Sequence, residues 1–134
     1  EDENKLLQNT NFVGYVSHQK AIEYQNTSQV LLLLIPNVKN NKGILTGKLF
    51  EYLKAKRPIL AIGPEKGDLA AILQETNSGV IVNFDAEEKL KLEIVVLYQK
   101  YKEDKLTVNF NNIEKYHRKE LTKKIAFILK SLNS

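Results

Sequence analysis

The chain has 134 residues, of which 43% are hydrophobic, enough for one domain with a real core and too few for two independent ones. It has no cysteine, which excludes disulfides and thiolate metal centres and fits a reducing compartment. Its net charge of +4 biases the surface toward anions but falls far short of the basic density of a dedicated nucleic-acid binder, and no apolar run approaches the roughly 20 residues of a membrane span.

Short apolar runs alternate with helical patterns along the sequence, the signature of βα units and a parallel sheet. Residues 11–14 (Asn-Phe-Val-Gly) read as a first strand, and Ser17 as the cap of a helix running to about Asn26. Residues 30–35 are apolar at every position, which predicts a central strand with helices over both faces. The Asn-, Lys- and Gly-rich loop over 36–45 is long for a βα connection. Thr46 then caps a helix to about Lys56, where Pro58 stops it and Lys54, Lys56 and Arg57 suit its negative end.

A strand over 58–62 leads to a turn, Gly63-Pro64-Glu65-Lys66-Gly67-Asp68. That turn lacks the glycine spacing and the Lys-Ser or Lys-Thr of a phosphate loop. Asp68 starts the next helix, which ends at Asn77-Ser78-Gly79, and residues 79–82 form the last strand. Asp85 with Glu88 makes a capping-box-like start for a helix whose Leu90, Ile94, Leu97, Tyr98 and Tyr101 keep helical spacing.

The final helix, from about Asn112 to Leu132, places Leu121, Ile125, Ile128 and Leu132 on one stripe. Its lysine-rich remainder reads as a solvated face or as a peripheral contact with anionic lipid. Tyr98, Tyr101 and Phe127 are expected in helix packing. The expected fold is α/β, a Rossmann-like parallel sheet of about four strands flanked by helices, in a single domain over residues 1–134.

The chemistry concentrates at Thr46-Gly47-Lys48-Leu49-Phe50-Glu51. The N–H groups of a first helical turn have no intrahelical partner and sit at the positive end of the helix dipole, so a phosphate docks there end-on. Gly47 leaves the backbone bare, Lys48 adds a full positive charge, and Glu51 follows one turn in. On spacing alone, Thr46 is also a plain cap, and Lys48 with Glu51 a surface pair worth about 0.2–0.5 kcal/mol. The two imidazoles, His18 and His117, have no metal-ligand partners in sequence, and no nucleophile–base set stands out.

The run over residues 43–61, with Gly-Lys-Leu-Phe-Glu-Tyr-Leu-Lys-Ala-Lys-Arg-Pro-Ile-Leu-Ala at its centre, resembles the donor-binding segment of group 1 (family 4-like) glycosyltransferases. Phe12-Val13-Gly14-Tyr15-Val16-Ser17-His18 is similar to the strand and loop beside the nucleotide base in that family. Gly79-Val80-Ile81-Val82 is similar to its later glycine-led strand. The resemblance implies the C-terminal, nucleotide-sugar-binding domain of a B-type glycosyltransferase. Such an enzyme moves a hexose-like unit from a UDP- or GDP-sugar to a cell-surface polysaccharide or glycolipid acceptor held by an N-terminal domain.

Carried onto this sequence, the resemblance implies that Glu51 receives the ribose hydroxyls and that Gly47 and Lys48 lie at the diphosphate, with the N-cap Thr46 also counted among the donor-binding residues. Lys48 would stabilise the leaving group, the backbone near Tyr15 and Val16 would meet the base, and neither a metal nor a cofactor beyond the donor is expected. Two departures stand out. Many relatives carry a second, sugar-facing carboxylate where Gly43 stands here, and the family's domain opens with a strand, helix and strand that precede the first residues of this sequence.

The expectation is a truncated piece of a longer, bacterial-type cytoplasmic enzyme, inactive by itself, with peripheral contact at the inner membrane face as the alternative to a solvated last helix. An open sheet edge adds the expectation of a homodimer. The alternative is a non-catalytic α/β interaction or receiver-like scaffold domain, although residues 30–36 end without the carboxylates a receiver uses to hold a divalent ion.

Overall fold

A computed structural model describes residues 8–39, 47–106 and 108–132, with the side chains of residues 118–121 and 124 left aside. The elements in order are α1 (His18–Thr27), β1 (Leu31–Leu34), α2 (Gly47–Ala55), β2 (Ile59–Ile62), α3 (Asp68–Thr76), β3 (Gly79–Val82), α4 (Glu87–Lys102) and α5 (Ile113–Leu132). The strands form one parallel sheet in the order β1-β2-β3. Leu31, Ile59 and Gly79 stand side by side across it, and so do Leu34, Ile62 and Val82. The fold is thus α/β and Rossmann-like.

Local chemistry explains most boundaries. The Ser17 side chain accepts the Lys20 N–H at 3.2 Å and caps α1 as expected. Asn77 closes α3 in the left-handed conformation at φ 51°, which its short polar side chain tolerates. Its Nδ2 also donates to the Asn109 carbonyl at 3.1 Å. Gly79 must lack a side chain, because a Cβ there would run into the Ile59 backbone carbonyl of the neighbouring strand. Arg57 serves the end of α1 rather than that of its own helix: Nε donates to the Ser28 carbonyl at 2.7 Å and a terminal nitrogen to that of Gln29 at 3.1 Å.

One face of the sheet carries the core. Leu33, Ile59 and Ala61 pack there against Leu49, Phe50 and Leu53 of α2, Leu69, Ile72 and Leu73 of α3, and Ile113 and Tyr116 at the start of α5. Buried Thr76 and Ser78 satisfy each other, with Thr76 Oγ1 donating to the Ile72 carbonyl at 2.7 Å and lying 2.8 Å from Ser78 Oγ. The Tyr116 hydroxyl donates to Glu75, whose other oxygen takes Lys115 at 3.1 Å. Burial first, and then this hydrogen bond, push the Tyr116 phenol up to about 12.

Several expectations need correction. Three strands, not four, are present among the described residues. Residues 11–14 are irregular and exposed, since an extended segment without a partner gains neither ladder bonds nor burial. Among the described residues β1 is an edge strand and β2 the central one, because β1 pairs on one side only, and only alternate leucines of β1 are buried. The Asp85–Glu88 capping box does not form, and α4 starts behind Ala86 with no side-chain cap.

α4 contributes no buried residue. Tyr98 and Tyr101 stack on each other with ring centroids 6.4 Å apart, yet both are exposed, as is Phe127. Ile125, Ile128 and Leu132 of the expected α5 stripe are also exposed, and the Leu121 side chain lies outside the described ones. Among the described side chains, Ile113 and Tyr116 of the first turns join the core, while Lys123 lies over the Phe50 ring. No described helix is long and apolar enough to cross a membrane.

Candidate functional site

α2 runs back from the carboxyl side of the sheet. Only three residues separate Ala55 from Ile59 at the start of β2, so the far end of the helix, at Gly47, lies toward the carboxyl ends of the parallel strands, where open α/β sheets bind ligands. Thr46 and the loop over residues 40–46, Gly43 included, fall outside the described residues. The first turn of α2 carries no acidic side chain. Gly47 and Lys48 are exposed. A Cβ on Gly47 would meet nothing within 4 Å among the described residues, and its φ is not positive. Among the described residues, neither packing nor a positive φ accounts for a glycine there.

Glu51 is the residue the fold does most to define. Its side chain is 32% exposed, and it turns toward α1, where Gln25 Nε2 donates to Oε2 at 3.0 Å. His18 Nδ1 lies 3.9 Å from Oε1. No ion pair joins Glu51 to Lys48 among the described residues, so the bland reading of those two as a mutual surface pair does not describe this geometry.

The contact with His18 carries Glu51 to the chain segment beside Tyr15 and Val16. Tyr15 is fully exposed and Val16 partly buried. The structure therefore brings Glu51 and the start of α1 to one corner, with Lys48 one turn earlier on α2. Next to Glu51, Tyr52 donates its hydroxyl to the Leu32 carbonyl on the free edge of β1 at 3.0 Å. Burial, and secondarily the Glu51 carboxylate, raise the Tyr52 phenol above its ordinary value.

Gln25 is the participant that sequence reasoning missed. It has no motif, and its relation to Glu51 exists only once α1 is laid on α2, across 26 positions. The turn after β2 plays a structural part: Glu65 accepts the Asn83 N–H and Lys89 Nζ, each at 3.2 Å, which links the turn to the loop after β3. These partners, led by Lys89, lower the Glu65 carboxyl.

Two clefts lie elsewhere. One, of about 340 Å³, separates α4 from the sheet and is walled by Val30, Leu60, Ile94, Leu97 and Leu106 with Tyr98 and Tyr101. The other, of about 710 Å³, lies by Lys56, Phe110 and Lys115. Among the described residues no three His, Asp or Glu side chains gather closely enough to hold a metal ion. No family model, curated protein or solved structure matches the chain.

Proposed function

We propose that this chain is the nucleotide-sugar-binding part of a glycosyltransferase of the group 1 (family 4-like) kind. In this reading it holds a UDP- or GDP-sugar while a partner domain presents the hydroxyl of a polysaccharide or glycolipid acceptor. The observation that carries the proposal is Glu51: a half-buried carboxylate one turn into a helix at the carboxyl side of a parallel sheet, oriented by Gln25 rather than paired with Lys48. The resemblance of residues 43–61 to a donor-binding segment points the same way.

The first turn of α2, with Gly47 open and Lys48 exposed, suits a diphosphate, and Glu51 suits the hydroxyls of the attached ribose. As the glycosidic bond breaks, negative charge grows on the departing diphosphate. Fixed N–H groups and the Lys48 ammonium lower the barrier by stabilising that charge more than the ground state. The work of this part is binding and charge stabilisation, and turnover belongs to the complete enzyme in the cytoplasm.

Two or three charge-assisted hydrogen bonds at about 1.5–3 kcal/mol each, less the cost of ordering the ligand, leave about 4 kcal/mol, which is millimolar affinity. Calorimetric titration of UDP and of GDP into the wild type and Glu51→Ala tests the proposal. One nucleotide is expected to bind in the millimolar range and to weaken about tenfold in the variant; equal responses, or silence at tens of millimolar, would remove the ribose assignment.

A second reading, an interaction module without catalysis, is favoured by one observation: Leu32, Leu34 and much of α4 expose apolar side chains of the kind protein partners cover.

A further inference from the structure

We infer that Gln25 is a positioning residue that sets the Glu51 carboxylate for a vicinal diol and so selects ribonucleotides over 2′-deoxyribonucleotides, an inference that rests on the nucleotide-sugar reading above. Gln25 donates to Glu51 Oε2 at 3.0 Å in a part-buried contact between two helices. The other end of the same amide, Oε1, is buried and finds no donor among the described residues. Leaving a buried carbonyl unsatisfied is unfavourable, and such groups are rare in folded proteins. The described hydrogen bond of this amide thus goes to the carboxylate, a charge-assisted contact that holds its orientation.

An ionised carboxylate accepts through both oxygens, with about four lone-pair directions between them. Gln25 occupies one direction on Oε2 and thereby fixes the plane of the group. Oε1 faces the start of α1, with His18 Nδ1 3.9 Å away, and keeps lone pairs with which to accept a hydroxyl. A ribose presents its 2′- and 3′-hydroxyls side by side, so a carboxylate held in one plane takes both. A 2′-deoxyribose offers one. Without Gln25 the carboxylate turns about its terminal bond, and the simultaneous arrangement is lost even though the charge remains.

The test measures binding of UDP, 2′-deoxy-UDP, GDP and 2′-deoxy-GDP by calorimetry or NMR to the wild type, Gln25→Met, Gln25→Leu and Glu51→Ala, with a thermal melt of each protein. The wild type is expected to prefer the ribonucleotide about fivefold to tenfold, the worth of one hydrogen bond. In Gln25→Met that ratio should collapse toward one, the ribonucleotide losing about fivefold to tenfold more affinity than the deoxy form, while the melt, lowered by the lost hydrogen bond, still shows one cooperative transition; Gln25→Leu repeats the test should Gln25→Met fail to fold. A ratio that survives in the Gln25 variants but vanishes in Glu51→Ala overturns the role of Gln25 and leaves the nucleotide site standing. An equal loss for both sugar forms makes Gln25 merely structural and also overturns it. Wild-type affinity and ratio in Glu51→Ala, or no binding by any protein, overturn the site and the inference together.

Discussion

The two faces of β1 are built from the same kind of side chain and end in different surroundings. In β1, Leu31 and Leu33 are 6% and 2% exposed, whereas Leu32 and Leu34 are 52% and 60% exposed. Their shared chemistry does not decide this. α2 and α3 press apolar residues onto the first face, while α4 stands off the second and leaves a cleft. Strand geometry assigns alternate residues to opposite faces, and only the packing of neighbouring elements says which face is dry. The site follows the same division: Glu51 rides on α2, whose buried residues lock the helix to the well-packed face, a steadier mount than any loop.

The contrast is broken most directly by truncating one leucine on each face. Leu33→Ala should cost about 3–5 kcal/mol in urea unfolding, the usual range for a buried leucine. Leu34→Ala should cost less than about 1 kcal/mol. Comparable losses would mean that something covers the second face in solution, a second copy of the chain included.

Next in size is the Tyr116–Glu75 contact that ties α5 to α3. Tyr116→Phe should lose about 1–3 kcal/mol, the worth of a hydrogen bond to a charged partner. It also has a pH signature. The folded protein holds the phenol proton up to about 12 against an ordinary 10.0, so the folded state binds that proton more tightly. The associated stability is complete below pH 10 and fades as the pH rises toward 12. A difference curve between wild type and Tyr116→Phe should fall over that window, and a flat difference would contradict the assignment.

The smallest effect concerns the junction between α2 and β2. Lys56 adopts φ 56°, a left-handed position just past the helix end where glycine is preferred. Lys56→Gly should gain about 0.5–1 kcal/mol without altering nucleotide binding, since it lies at the opposite end of α2 from Lys48. A loss of stability would show that the Lys56 side chain contributes more than its backbone costs.

Much of this fold was legible in local signals. Ser17, Asn77 and Gly79 punctuate the chain where their chemistry requires it, and the three strands that pair are short apolar runs with helices between them. Residues 11–14 carry the same strand pattern and stay irregular, because a strand is completed by a neighbour that a local pattern does not reveal. α4 illustrates the converse: its apolar spacing identifies a helix correctly and says nothing of how closely the helix approaches the sheet.

At the candidate site, Lys48 and Glu51 were readable from their place near a helix start, with Gly47 before them. The partner that orients Glu51 was not, since Gln25 meets it only through the docking of two helices. The separation of Glu51 from Lys48 was equally hidden, because spacing on one helix permits an ion pair that the neighbouring helix then pre-empts.

The central claim, that the start of α2 and the Glu51 carboxylate form a nucleotide diphosphate site, is tested most directly by mapping amide chemical-shift changes on ¹⁵N-labelled protein during titration with UDP and GDP. Changes that saturate together at Gly47, Lys48, Glu51, Gln25 and the segment from Tyr15 to His18 are the predicted result. Changes confined to the cleft around Leu60 and Tyr98, or none at tens of millimolar nucleotide, would contradict it.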